Sequence, residues 1–375
     1  MTDQKNRHWL LRFLTLGLLF VLVLGLVAAA SFSGGRYKDR FRRWLLYGSS
    51  LTENRYIYSA DSGYLFGQVG PYLAVLSQNS LQLLRDDGTA QFDETVSLAV
   101  PALITGGGLL AAWDVGGTRL VVADTNGILF ERDEGARLLS VRLSDSGHLA
   151  VTEEKSGYKG AVTVYDQKQE KIFTFNSSTN FLLDAAVSRD GRRLLAVTMG
   201  QEAGGYVTRF VLYDLGREDP LGTTVFQEGL VLDLVSVSTG YAAAADEMAL
   251  FLSSAGEITG RYSYAGAYLR DYTLTGDGFC ALLLGRYRAG VVGRLVTVDS
   301  AGQELGSLEV SKEVLDISAA GDRVAVLYSD ELVIYEKDLT RYASTVETGL
   351  AGRVLLAEDG SALAASADSA WRFLP

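Results

Sequence analysis

FLLDAAVSRDGRRLLAVTM, residues 181–199, contains two strands and the turn between them. An apolar run ends at Ser188, Arg189-Asp190-Gly191 makes the turn, and a second apolar run covers residues 194–198. Asp accepts hydrogen bonds from its own turn, and Gly takes positive φ without steric cost, so this triplet closes a hairpin. FVLYDLG (210–216) supplies a third strand, and LGTTVF (221–226) a fourth.

The same order of elements recurs on both sides. It is found at 139–175, 231–262, 269–308 and 314–346, and more loosely at 64–92 and 102–132. A last copy, VLLAEDGSALAASADSAWRF (354–373), stops after three strands. The first strands of the copies centre near residues 66, 102, 141, 184, 233, 271, 316 and 354. A period of about 40 residues with four short strands is the signature of a β-propeller. One four-stranded sheet cannot bury both of its faces, but sheets packed in a ring can. Closing the ring also protects the strands at the sheet edges.

The last copy lacks an outer strand, and RYIYSA (55–60) has no partner ahead of the first copy. Strand 55–60 is therefore expected to complete the last blade. The predicted fold is all-β, an eight-bladed β-propeller over residues 51–375, with seven blades as the alternative if the loose early copies merge. No long helical pattern follows Tyr47.

The chain begins differently. Residues 1–12 form a short basic tail, and Phe13 to Gly35 carry no charge. At 1.5 Å per residue the apolar part of this stretch, Phe13 to Phe32, spans roughly 30 Å, the thickness of a bilayer core, which predicts one N-terminal transmembrane α-helix over 13–35. Residues 36–50 read as a juxtamembrane linker, with Arg36, Lys38, Arg40, Arg42 and Arg43 interleaved with Tyr37, Phe41, Trp44 and Tyr47. The alternative is a secretory signal peptide cut after Ala30. The apolar run is longer than such peptides use, which favours a single-pass protein in the cell membrane. The flanking charges conflict on orientation. The very short tail is expected to stay inside, placing the propeller on the extracytoplasmic side.

The net charge is −11, and the first 43 residues hold eight Lys/Arg and two Asp/Glu, so the remainder carries −17. That balance excludes nucleic acid as a partner, because phosphates require Lys and Arg. There is one cysteine, Cys280, in an apolar run, and two histidines, His8 and His148. They are too few for a Cys/His zinc site. A Ser-His-Asp triad would need His148, which follows a turn glycine and reads as an exposed strand-start residue.

Two groups of residues stand out. Asp184, Asp233, Asp271 and Asp316 recur at one phase of the innermost strand. They are either channel-lining carboxylates able to hold a cation or, more plainly, acceptors for neighbouring backbone amides that fix blade packing. Arg261, Tyr262, Tyr264, Tyr268, Arg270 and Tyr272 cluster in sequence around one blade junction. Tyr and Arg are enriched in binding hot spots, which makes this a candidate partner-binding patch, with interblade packing as the plainer reading. The inserts 153–160 and 199–206 read as longer hairpin loops on one rim, where function commonly sits.

The apolar strand, "S.DG", "LAV" and "V.VYD" of the copies resemble bacterial propellers of the YVTN and quinoprotein type. Anchor plus acidic ring resembles bacterial families of membrane-anchored propellers of unknown function. Resemblance to quinoproteins implies a quinone cofactor and calcium over the ring centre. The adjacent cysteines and the Glu/Asn/Asp cluster for that chemistry are missing, so no cofactor and no metal is expected. No nucleophile–base pair suggests a hydrolase or oxidoreductase, and the expectation is that the protein is not an enzyme. The expected function is a non-enzymatic membrane-tethered scaffold at the cell envelope that recognises another envelope protein. The alternative is binding of a small ligand, glycan or cation at the channel mouth.

Overall fold

The hairpin at 181–199 forms because its turn satisfies itself. The Ser188 hydroxyl donates to Asp190, the Gly191 N–H donates to the Ser188 carbonyl at 2.9 Å, and Gly191 sits at φ +68°. A Cβ at Gly191 would collide with the His148 ring. Phe181–Val187 and Arg193–Glu202 then pair antiparallel, followed by Gly205–Asp214 and Pro220–Phe226.

The computed structural model describes residues 55–58, 63–133, 135–202 and 204–375. Among them there is no α-helix; every regular element is a strand. The predicted tail, transmembrane helix and linker lie outside the described residues.

Eight four-stranded sheets follow one another. Their innermost strands are Leu65–Val69, Pro101–Gly106, Leu138–Leu143, Phe181–Val187, Val231–Val237, Tyr268–Gly276, Val314–Ala320 and Arg353–Leu356, which begin blades 1 to 8. The early copies do not merge, and the ring has eight blades. The last is composite, because Arg55–Ile57 pairs antiparallel with Ser369–Phe373. The closing strand is shorter than the predicted 55–60, although the Tyr58 N–H still reaches the Asp368 carbonyl at 3.2 Å.

Second and third strands are buried on both faces, inner strands are half-buried where they line the channel, and polar residues gather on the outer strands. Eight separate apolar cores result among the described residues, one between each pair of neighbouring blades. The core between blades 8 and 1 draws on both ends of the chain, with Tyr56 and Tyr58 packed against Leu73, Val75 and Leu363.

Antiparallel pairing gives the ring two distinct rims. The upper rim carries the starts of the inner strands, the hairpins between second and third strands, and the links between blades. The lower rim carries the remaining turns. Arg55–Ile57 runs opposite to Ser369–Phe373, so the chain enters blade 8 at the lower rim.

Candidate functional site: the upper rim and channel mouth

In blades 3 to 7 the inner strand is interrupted by a one-residue bulge near its start. The extra residue is Leu139, Leu183, Leu232, Arg270 or Leu315, and the next is Ser140, Asp184, Asp233, Asp271 or Asp316. A bulge re-aims side chains and breaks regular pairing. Here it produces two tiers at the channel mouth. The outer tier is mostly leucine and partly solvated, with Leu232 53% exposed.

The inner tier is a polar chain that crosses blades. Arg142 in blade 3 donates from Nη2 to Asp184 Oδ2 in blade 4 at 2.6 Å and from Nε at 3.0 Å. The same Nη2 also donates to Asp233 in blade 5. Ser140 donates to Asp184 at 2.6 Å, and Tyr272 in blade 6 is bonded to Asp233. Burial opposes the Arg142 charge, but the two carboxylates beside it outweigh that and hold the guanidinium protonated above its ordinary value.

The second half of the ring is built differently. Asp316 accepts from the Val354 N–H of blade 8 at 2.7 Å and from Arg353 at 3.2 Å. Asp271 accepts from its neighbour Tyr272 at 2.9 Å and from the Ile317 N–H of blade 7. Burial, and then the Asp316 carboxylate, push Asp271 up to about 6. Among the described residues no three His, Cys, Asp or Glu side chains converge as a metal would require. Instead the four aspartates join blades, two through Arg142 and two through backbone amides.

The Asp271 shift has a definite sign. An acid raised in the fold binds its proton more tightly there, so stability is highest at low pH and is lost as pH rises through about 6. Asp271→Asn is expected to stabilise the ring by up to ~2 kcal/mol at pH 8. The gain should vanish near pH 4. Urea unfolding of both proteins across that range measures it, and an equal gain at both ends would disprove the carboxylate repulsion.

The Tyr/Arg patch does not stay together. Arg261 and Tyr262 lie on the outer strand of blade 5, where Arg261 pairs with Glu228 and Tyr262 donates to Glu304 of blade 6 at 2.9 Å. Tyr264 is buried in the core between blades 5 and 6. Tyr272 and Tyr262 pack against the same core, and the Tyr272 hydroxyl is bonded to Asp233. Only Tyr268 and Arg270 reach the upper rim, beside the blade 6 hairpin, with Arg288 5.5 Å over the Tyr268 ring and Arg270 3.5 Å from the Val292 carbonyl. Sequence proximity misled because twelve residues here span an outer strand, a link and the next inner strand.

The insert 199–206 is mostly strand rather than loop. Pairing continues through Gly200↔Val207, Gln201↔Tyr206 and Glu202↔Gly205, so the blade 4 hairpin extends past its neighbours with Tyr206 76% exposed near its tip. His148 is half-buried rather than exposed, with Nδ1 3.0 Å from the Ser146 hydroxyl and the ring beneath the Gly191 turn. Cys280 is fully buried, and burial pushes its thiol up to about 12, so it is inert as a nucleophile.

Sequence reading missed the asymmetry between the rims. Of 22 exposed large apolar side chains among the described residues, 15 lie on the upper rim or at the channel mouth, and seven lie on outer strands. None lies in a turn of the lower rim. Tyr158, Tyr206 and Tyr287 project from the hairpins of blades 3, 4 and 6. Between them and the axis, a cavity of about 260 Å³ opens over blades 2 to 5, lined by Trp113, Ser140, Arg142, Asp184 and the leucines of the bulges.

The family described as a family of unknown function, DUF5711, matches residues 48–350. The chain belongs to the DUF5711 family. No curated protein matches it. BamB from Moraxella catarrhalis is similar in structure, with a TM-score of 0.56 and 14% identity over 86% of this chain and 100% of that one. The C-terminal WD40 domain of Sif2 has a TM-score of 0.58 and 13% identity over 86% and 100%. Chaetomium thermophilum Sqt1, bound to the N-terminus of the ribosomal protein L10, has a TM-score of 0.55 and 13% identity over 86% and 99%. At these identities the likeness concerns the fold alone. The DUF5711 ring thus shares its architecture with BamB-like and WD40 propellers.

Proposed function

We propose that this DUF5711 protein is a non-enzymatic interaction scaffold that holds a partner protein on its upper rim. The observation that carries the reading is the one-sided distribution of exposed apolar side chains. A monomeric surface scatters such residues singly, whereas contiguous exposure marks contact sites. Rigid strands present the tyrosine-tipped hairpins of three blades on one face, and tyrosine supplies large contact area at low entropic cost. The fold shared with Sqt1, a propeller bound to another protein's N-terminus, is consistent with such a role. The uncharged stretch over 13–35 supports membrane tethering, and with it a partner in the cell envelope.

Site-specific photo-cross-linking in intact cells tests the reading. A cross-linker at Tyr206, Leu232 or Tyr287 is expected to trap a defined product, and one at the lower-rim positions Asp86, Lys168 or Asp322 is not. Equal trapping from both rims, or none from the upper one, would sink it. Leu232→Asp is expected to weaken the trapped contact at least tenfold, about 1.4 kcal/mol or more, without changing the fold.

A further inference from the structure

We infer that the mouth over blades 3 to 5 binds an extended segment of the partner protein in which a basic side chain lies next to an apolar one. The inference rests on the upper-rim reading and specifies its chemistry.

Three independent observations converge on it. The first is shape. The cavity of about 260 Å³ is walled by the apolar Leu139, Leu183, Val231 and Leu232 and by the polar Ser140, Arg142 and Asp184, which suits a segment that brings an apolar and a polar side chain next to each other.

The second is an unmet donor. Trp113 lines this cavity, is 8% exposed, and its Nε1–H has no acceptor among the described residues. Buried donors are seldom left that way. A peptide segment brings the missing group in its backbone carbonyl, as a purely aliphatic ligand cannot.

The third is charge. Among the described residues Arg142 is the only cation paired with Asp184 and Asp233, so this part of the mouth keeps one surplus negative charge. The hairpin turn of blade 5 adds Asp246 and Glu247 on the rim directly outside. Arg270, at the bulge of the next blade, is turned to the blade 6 hairpin. An acidic or carboxylate ligand would meet this surplus head-on. A Lys or Arg side chain instead lays its methylenes along the leucine tier and carries its charge to the aspartates.

The test uses the full-length chain and three N-acetylated, C-amidated 12-residue peptides that alternate Leu with Arg, Leu with Ser, or Leu with Glu. Binding is read from tryptophan emission, as the difference between wild type and Trp113→Phe. The Leu/Arg peptide should bind at least tenfold more tightly than the Leu/Ser peptide, with affinity falling as salt rises. Asp233→Asn should weaken it at least fivefold. Leu232→Ser, at an exposed position, should do the same and keeps the test decisive if Asp233→Asn fails to fold. Equal binding of the Leu/Glu peptide would overturn the inference. So would an unchanged Trp113 signal, or an equal loss from Asp86→Asn on the lower rim, which would signify diffuse attraction to an acidic protein. Upper-rim cross-links that persist without preference for the basic peptide sink this inference and leave the scaffold reading standing.

Discussion

Tyr56→Ala lowers the unfolding free energy by about 4 kcal/mol, within the range for large aromatic truncations in a core. Tyr56 is fully buried, and its hydroxyl accepts from Arg372 Nη2 at 3.0 Å. Arg372 is itself 1% exposed and also donates to the Pro71 carbonyl of blade 1 at 3.2 Å. One side chain on the last strand thus links the first strand of the chain to the first blade. Nearby, Tyr58 donates to the Ser366 carbonyl at 2.8 Å. Truncation at Tyr56 leaves both a cavity and a buried guanidinium with one partner fewer, and such losses exceed the removed contact alone. Seven other interfaces form within continuous chain, but this one joins segments more than 300 residues apart in sequence. A shortened chain starting at Glu53 should therefore fold, and one starting at Asp61 should aggregate, because blade 8 would then expose the edge of its third strand. Guanidinium titration of the Tyr56→Ala protein and light scattering of the two shortened chains measure this. A soluble, cooperatively folding chain from Asp61 would show that the ring does not depend on its latch.

What could be read from sequence, and what could not, divides along one physical line. Strand spacing and blade count were legible because they are written locally, in turn residues such as Asp190-Gly191 and in runs whose length is set by a four-stranded sheet. The composite blade was legible for a related reason, since a repeat missing one strand needs a donor and RYI at 55–57 was unassigned. Side-chain destinations were not. Tyr262, Tyr264 and Tyr272 look alike in sequence, and all three pack on the core between blades 5 and 6, yet the hydroxyl of Tyr262 goes to Glu304 and that of Tyr272 to Asp233, while Tyr264 is buried. The Gly-rich run at 199–206 resembles a loop because glycine is a weak strand former, but ten-residue partners carry the ladder through it. Arg142 was overlooked although a signal existed. Ser140 stands where later blades have aspartate, and Arg142, two residues on, shares its side of the strand. A repeat that drops its acid in one copy and offers a cation beside it has a place where neighbouring acids can be neutralised.

Arg142→Ala should therefore be among the most damaging single changes in the channel, destabilising the ring by about 3–5 kcal/mol, the usual result of removing one partner from a buried ion pair. Two effects combine. The inner strands of blades 3, 4 and 5 lose the tie through Arg142, with the Ser140 to Asp184 bond left between blades 3 and 4, and Asp184 and Asp233 are left without a compensating charge. The second effect makes the deficit depend on pH. Without the guanidinium the two carboxylates face each other with no cation between them, and their repulsion is relieved only in acid. Stability in the variant is then retained better at low pH than at high pH. The gap to wild type should be largest near pH 8 and should narrow toward pH 5. Adding Asp184→Asn and Asp233→Asn to Arg142→Ala should recover much of the loss at pH 8, because the stranded charges are gone. Urea unfolding at the two pH values separates this from simple packing. If the deficit is the same at pH 5 and pH 8, Arg142 acts through its aliphatic stem, and the electrostatic account of the channel fails.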